Sequence, residues 1–245
     1  MKENIDRHNL PQHVAVIMDG NGRWAKKKGA MRIFGHQNAI QSVREATEGC
    51  AELGIKYLTL YAFSTENWGR PKAEINGLME LLVSTLKKEI NTLHENNVRL
   101  LTIGDTLDLP RNCQRELQFA IEETKQNTGL KLIIALSYSG RWEITKAVKA
   151  ILVDAQNNGI TPEQINESFI ESYLETAGIP DPELLIRTSG EMRVSNFLLW
   201  QIAYTELYIT DTLWPDFRKP HLYEALKSYQ KRERRFGKIS EQVNS

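Results

Sequence analysis

VAVIMDGNGRW, residues 14 to 24, decides the fold. Five apolar residues run without interruption and stop at Asp19, Gly20, Asn21, Gly22 and Arg23. A short continuous apolar run reads as a strand covered on both faces, as in a parallel sheet. In open parallel sheets, ligands bind just beyond the carboxyl ends of the strands. The two glycines free the backbone to aim successive N–H groups at one anion. Arg23 and Arg32 can fork onto phosphate oxygens in a geometry lysine does not copy. Asp19 would repel a phosphate bound there unless a divalent cation lay between them, and oxygen-only ligation with phosphate as co-ligand suits Mg²⁺.

Outward from this stretch the same pattern recurs. Apolar runs at 57–63, 98–103, 130–136, 183–187 and 207–210 predict five more strands. The segments after them are polar and glycine-rich at Ser64–Arg70, Ser137–Trp142 and Arg187–Arg193. Helical apolar spacing over 36–53, 75–93, 112–126 and 142–155 predicts amphipathic helices between the strands. Thr161, Pro162 and Gln164 form a helix start, which predicts a helix from there to about Leu174. Phe197–Tyr204, apolar on every face, predicts a helix hidden in the core or at a dimer contact. The alternation implies a single α/β domain over 1–245, a mostly parallel six-stranded sheet flanked by helices, with residues 1–12 and 237–245 as flexible ends. On helix 75–93, Leu81 and Val83 lie off the main stripe. They fit deep burial, a dimer contact or the wall of an apolar tunnel between sheet and helices.

Composition narrows the function. With 31 basic and 31 acidic residues the formal charge is zero, which argues against a nucleic-acid partner held by phosphate neutralisation. No 18 apolar residues run together, so a cytoplasmic protein is expected. Cys50 and Cys113 fall on apolar stripes and read as buried thiols. Nucleotide and zinc chemistry lack their usual motifs. A haloacid-dehalogenase-like phosphatase would need an acid where Asn21 stands and an acidic pair where Ser137 and Tyr138 stand. Arg187 and Arg193, with Ser189 and Ser195 as donors, make a second anion site, so two phosphorylated groups are expected. Lys26–Lys28 and Lys231–Arg235 read as solvated faces, the alternative being a weak pull toward an anionic membrane surface.

With these residues in view, the chain resembles the cis-prenyltransferases, above all their bacterial branch. The carrying motifs are HVAVIMDGNGRWAKKKG at 13–29, RIFGH at 32–36, LTLYAFSTENWGRP at 58–71, ALSYSGRWEI at 135–144 and LIRTSGEMRVSNFLLWQIAYTELY at 185–208. The resemblance implies Mg²⁺-dependent condensation of isopentenyl diphosphate onto an allylic diphosphate, typically farnesyl diphosphate. The product would be a long-chain cis-polyprenyl diphosphate, undecaprenyl in the bacterial branch, where it carries cell-wall precursors. A homodimer is implied, with peripheral membrane contact for product release. By matching positions, Gly20, Asn21, Gly22, Arg23, Trp24, Arg32 and His36 hold the allylic diphosphate, with Ser64, Thr65, Glu66, Arg70 and Glu74. Arg187, Arg193, Val194 and Ser195 hold isopentenyl diphosphate. Asp19 works with Mg²⁺ on the leaving diphosphate, and Asn67 and Trp68 lie near the reacting carbons, Asn67 as a catalytic group. Glu206 matches a second metal or isopentenyl-site acid, yet it precedes the last apolar run and so starts at the wrong edge, unless it acts across a dimer.

Overall fold

The structure, a computed structural model, describes residues 5–234. In chain order the elements are β1 (His13–Ile17), α1 (Asn21–Lys27), α2 (Arg32–Leu53), β2 (Tyr57–Ser64), α3 (Lys72–Glu95), β3 (Arg99–Ile103) and α4 (Arg111–Thr124). Then come β4 (Lys131–Tyr138), α5 (Gly140–Asn158), α6 (Glu167–Glu171), β5 (Leu184–Arg187), β6 (Glu206–Ile209) and α7 (Lys219–Gln230). The six strands form one sheet in the order β3-β4-β2-β1-β5-β6, every neighbouring pair parallel.

Side chains alternate across a strand, and the core divides accordingly. Val14, Val16, Leu58, Leu60, Leu132 and Ile186 face one layer with Cys50 of α2, Met79 of α3, Leu117 of α4 and Leu226 of α7. Ala15, Ile17, Ile133, Ala135 and Leu185 face the other, with Trp142 of α5 and Phe197. Both thiols are free and buried, and burial pushes Cys50 up to about 12. The chain moves outward from β1 through β2, then returns to the far side of β1 to lay down β5. That reversal opens a crevice at the carboxyl ends of β1 and β5, where open α/β sheets bind ligands.

Two expected helices are corrected. Residues 161–174 form a 3-10 turn at Pro162–Gln164 and then the five-residue α6, because Ile165 and Asn166 are extended and Asn166 caps Phe169 N–H. Most of this stretch is exposed, so no buried stripe drives a continuous helix. Phe197–Tyr204 is a string of turns in which Phe197 and Leu198 are buried and Tyr204 is exposed. At the N-terminus Ile5 is buried, and Gln230 Nε2 donates to the carbonyls of Asp6 (2.6 Å) and Asn9 (2.8 Å), so residues 5–12 are fastened to α7. Residues 237–245 lie outside the described residues.

His13 opens β1 fully buried; its Nδ1 donates to the Pro180 carbonyl (2.6 Å) and its Nε2 accepts from Thr59 Oγ1 (2.7 Å). Burial lowers the ring to about 4, against the opposing pull of that carbonyl and of Glu183. A depressed folded value means that this stability is complete above the ordinary 6.5 and is lost as pH falls through about 4. Forcing the ring to charge costs on the order of 3 kcal/mol. The thermal midpoint should therefore fall steeply between those two pH values, and His13→Gln should flatten that limb in pH-resolved melting. An unchanged limb would place the acid sensitivity elsewhere.

Candidate active site

β1 and β5 run side by side with Ile17 level with Arg187, so the residues that follow both strands share one crevice. Arg187, only 4% exposed, donates from Nη2 to Asp19 Oδ2 at 2.9 Å and from Nη1 to Ser195 Oγ at 2.7 Å and to the Arg193 carbonyl. Its Nε is buried without a partner. The Asp19 backbone is pinned from both sides: Thr188 Oγ1 accepts from Asp19 N–H (2.9 Å) and donates to Asp19 C=O (2.6 Å). Partial burial works against ionisation of Asp19. The bond and charge of Arg187, the Gly20 N–H and Arg23 outweigh it and hold the carboxyl below its usual range. At neutral pH the crevice floor is thus a carboxylate clasped by two guanidiniums, Arg23 standing 3.4 Å from Oδ2.

The segment after β1 corrects the loop reading of DGNGR, because α1 begins at Asn21 directly after Gly20. Gly20 has φ 109°, a conformation that favours glycine, and a Cβ there would press on Leu213 at 3.0–3.1 Å. The first amides of a helix have no intrahelical partner, and α1 starts at the crevice mouth, where Asn21 and Gly22 line the cavity. α2 passes so close that a Cβ on Gly35 would lie 2.1 Å from the Asn21 carbonyl oxygen. This approach brings His36 to the same mouth. Burial first, then Arg70 and Arg32, lowers its ring to about 4 against the pull of Glu74, so it is neutral at pH 7, with Nε2 buried and unpartnered. Arg32 and Arg70 both reach Glu74 Oε1, at 3.3 and 3.2 Å, two cations sharing one carboxylate.

β2 ends in an irregularity, its pairing with β4 shifting register between Tyr61 and Ser64. Such bulges re-aim side chains next to binding sites. Residues Thr65–Gly69 form a 3-10 turn in which Asn67 Oδ1 accepts Ser64 N–H at 3.2 Å. Trp68 turns inward, donating to Ser137 Oγ (2.9 Å) and meeting Phe63 edge-on.

Behind this mouth lies a cavity of about 710 Å³. Asp19, Gly20, Asn21, Gly22, Arg32, His36, Ser64, Glu66, Asn67, Arg70, Arg187 and Ser195 line its polar end. Beyond it the wall is mostly apolar, formed by Ile40 and Val43 of α2, Leu78, Leu82 and Leu93 of α3, and Leu100, Leu132 and Ile134 of the sheet, with Thr47, Thr85 and Thr92 among them. Leu81 belongs to this wall as expected; Val83 does not, packing instead against the core. The Arg44–Glu89 pair, at 2.6 Å, joins α2 to α3 along the cavity lining.

Other expected residues stand back from the cavity wall. Trp24 is tied to Asp216 Oδ1 (2.8 Å), Thr65 Oγ1 to Ser139 Oγ (2.8 Å), and Arg193 reaches outward to Glu191. Arg23 is half-exposed, its guanidinium holding the Ser189 carbonyl (3.0 Å) and Glu191 (3.2 Å). Val194 packs into the second core layer. Glu206 is not brought to Asp19: it pairs with Leu184 at the start of β6, three residues short of the Arg187 level, and binds Arg232 Nη1 at 2.6 Å. At about 3.3 Å per residue that is roughly 10 Å down the sheet, so within one chain Glu206 and Asp19 cannot share an ion. Sequence reasoning missed Trp214, a buried wall residue whose backbone N–H donates to the Asp19 carbonyl at 3.0 Å, and Asn196 at the mouth. Neither carries a charge that would have drawn attention.

Among the described residues no group of three or more His, Cys, Asp or Glu could form a metal cage. Asp19 alone at the crevice floor fits a hard cation that keeps its waters and takes phosphate oxygens from substrate, the manner in which Mg²⁺ is commonly held.

Comparison with known proteins gives this geometry a family. Residues 17–237 match the family model described as putative undecaprenyl diphosphate synthase. An isoprenyl transferase of Clostridium tetani is 52% identical over 238 residues, covering 97% of this chain and 93% of that protein. A ditrans,polycis-undecaprenyl-diphosphate synthase, (2E,6E)-farnesyl-diphosphate specific, of Pasteurella multocida is 49% identical over 97% of this chain and 99% of that protein. Among solved structures, lavandulyl diphosphate synthase from Lavandula x intermedia, in complex with dimethylallyl diphosphate, superposes with a TM-score of 0.91 at 36% identity, over 94% of this chain and 100% of that one. A probable undecaprenyl diphosphate synthase from Campylobacter jejuni gives 0.78 at 34%, with the same coverage. A family match over residues 17–237, and identity at about half of the aligned positions with these relatives along nearly the whole chain, mean that the protein belongs to the cis-prenyltransferase family.

Proposed function

We infer that the chain elongates farnesyl diphosphate with successive isopentenyl diphosphates, forming cis double bonds and releasing diphosphate at each step, to a long-chain product of undecaprenyl type. The observation that carries this reading is the continuity of the cavity, with Asp19, Arg32, His36, Arg70 and Arg187 at its mouth and a mostly apolar wall beyond them. A molecule that is diphosphate at its head and hydrocarbon along its tail matches both ends. The Pasteurella relative's stated specificity for farnesyl diphosphate supports the starter.

The residues divide the work. Amides 21–23, Arg32, Arg70 and neutral His36 grip the allylic diphosphate, where negative charge grows as the carbon–oxygen bond breaks. Preorganised donors in a site with low water content lower that barrier. Arg187 and Ser195 hold the second diphosphate beside it, and Asn67 sits on the turn between the two. Mg²⁺, when bound, supplies positive charge to the departing diphosphate, and Asp19 is the residue that would hold it. The apolar wall excludes water from the allylic carbon. A homodimer and a peripheral contact with membrane belong to the same reading. Val148, Leu152 and Val153 stand exposed together on α5, and no helix among the described residues is long and apolar enough to cross a membrane.

Incubation with labelled isopentenyl diphosphate, farnesyl diphosphate and Mg²⁺, followed by chain-length analysis, should give polyprenyl products. Release of inorganic phosphate without elongation would point to a phosphatase instead. Each added five-carbon unit gains up to about 4 kcal/mol of apolar burial at roughly 0.8 per methylene, so long products leave slowly. A burst of bound product should precede slower steady turnover, and detergent should raise the steady rate. Absence of both effects would argue against growth of the product inside the cavity.

A further inference from the structure

Asn196 is not among the residues that anion chemistry singles out, yet three parts of the site meet on it. It follows Ser195, the acceptor of Arg187 Nη1, in an arm where Ser195, Asn196 and Leu198 have φ of 48°, 60° and 45°. Residues with side chains seldom hold that conformation, asparagine more readily than most. Its carbonyl accepts Gly140 N–H at 2.7 Å and its Oδ1 accepts Arg141 N–H at 2.9 Å. These are orphan amides at the start of α5, where the N-cap Ser139 supplies no side-chain bond. The approach depends on Gly140, because a Cβ there would lie 2.7 Å from Leu199 Cγ. The remaining polar atom, Nδ2, donates to Glu66 Oε1 at 2.7 Å. Glu66 belongs to the turn after β2 that lines the allylic end of the mouth.

We propose that Asn196 is a positioning residue that ties the arm bearing Ser195 to the turn bearing Glu66, so that occupancy of the allylic site sets the geometry of the isopentenyl site. The inference rests on the reaction proposed above. Every polar atom of the Asn196 side chain is engaged, and its carbonyl is anchored on a long helix. A shift of the turn at residue 66 is therefore passed to Ser195 and from there to Arg187, with no slack bond to absorb it.

Aspartate at this position separates the link from a plain helix cap. It keeps an oxygen for Arg141 N–H, suits a helix N-terminus and tolerates positive φ, but sets a carboxylate against Glu66. Asn196→Asp, Glu66→Gln and the double variant would be compared with wild type in elongation kinetics, in calorimetric binding of isopentenyl diphosphate with and without farnesyl diphosphate, and in melting. Asn196→Asp should raise KM for isopentenyl diphosphate about tenfold, the loss expected for one hydrogen bond to a charged acceptor, without lowering the melting midpoint. The double variant should recover most of that loss, because the new amide at 66 then donates to the new carboxylate at 196. The link is overturned if Asn196→Asp stays within about twofold of wild type, the ordinary scatter of independent sites, or if the double variant is no better than Asn196→Asp. Wild type that fails to elongate would refute the reaction alone. Calorimetry would then judge the link, and an equal effect of farnesyl diphosphate on isopentenyl diphosphate affinity in wild type and Asn196→Asp would overturn it.

Discussion

Replacing Asp19 by alanine should lower kcat by roughly two to three orders of magnitude, the cost of losing an electrostatic group from a preorganised site, while diphosphate binding in the absence of metal stays equal or tightens. The second half follows from the geometry. Asp19 is ionised between Arg187 at 2.9 Å and Arg23 at 3.4 Å, so a diphosphate entering the mouth competes with it for those cations. Each close arginine–phosphate contact is worth about 4 kcal/mol of raw Coulomb energy at an effective dielectric near 20, before desolvation. Removing the competing carboxylate therefore favours ground-state binding, and removing the ligand for Mg²⁺ penalises departure of the leaving group. Single-turnover rates with farnesyl diphosphate, set beside calorimetric affinity for inorganic diphosphate with and without Mg²⁺, read both. Near-normal turnover in Asp19→Ala would remove the carboxylate from the mechanism. Weaker metal-free binding would show that Asp19 organises the mouth and does not compete in it.

Much of this site was legible in the sequence because its logic is local. Strands buried on both faces must be continuously apolar, and glycines and charged residues clustered after them mark the carboxyl edge. Asp19, Arg70 and Arg187 stand in such clusters, whereas His36, on the helix after the first of them, is singled out mainly by the resemblance. What was not legible depends on the tertiary approach of distant segments. DGNGR reads as a loop because two glycines disfavour helix; α1 forms there because Gly20 turns the chain in a left-handed conformation and α2 packs against Asn21 across Gly35. The all-round apolar segment Phe197–Tyr204 has no period that separates a helix from turns. Left-handed backbone at 195, 196 and 198, enforced by contacts with Gly140, Arg141 and Tyr61, decides for turns. Trp214 and Asn196 were invisible for the same reason, and the Arg44–Glu89 pair joins two helices that no spacing rule connects.

Arg187→Lys should cut kcat/KM for isopentenyl diphosphate by about a hundredfold or more, within the 2–5 kcal/mol expected when a buried hydrogen-bonded charge is truncated, although the charge is formally kept. The guanidinium spans three partners in two directions: Nη2 holds Asp19, and Nη1 holds Ser195 and the Arg193 carbonyl. A lysine ammonium is one point at the end of a flexible stem and cannot reach both sides of the crevice together. At 4% exposure it would also be driven toward its neutral form by desolvation. A methionine at the same place gives the complementary readout. Arg187 is the largest influence keeping the Asp19 carboxyl below its ordinary range, opposed by partial burial. Without it the folded value rises, and the acid limb of kcat/KM should move to higher pH in Arg187→Met. A lysine variant with wild-type efficiency would mean that charge alone suffices here. An acid limb that stays in place in the methionine variant would mean that Asp19 does not set it.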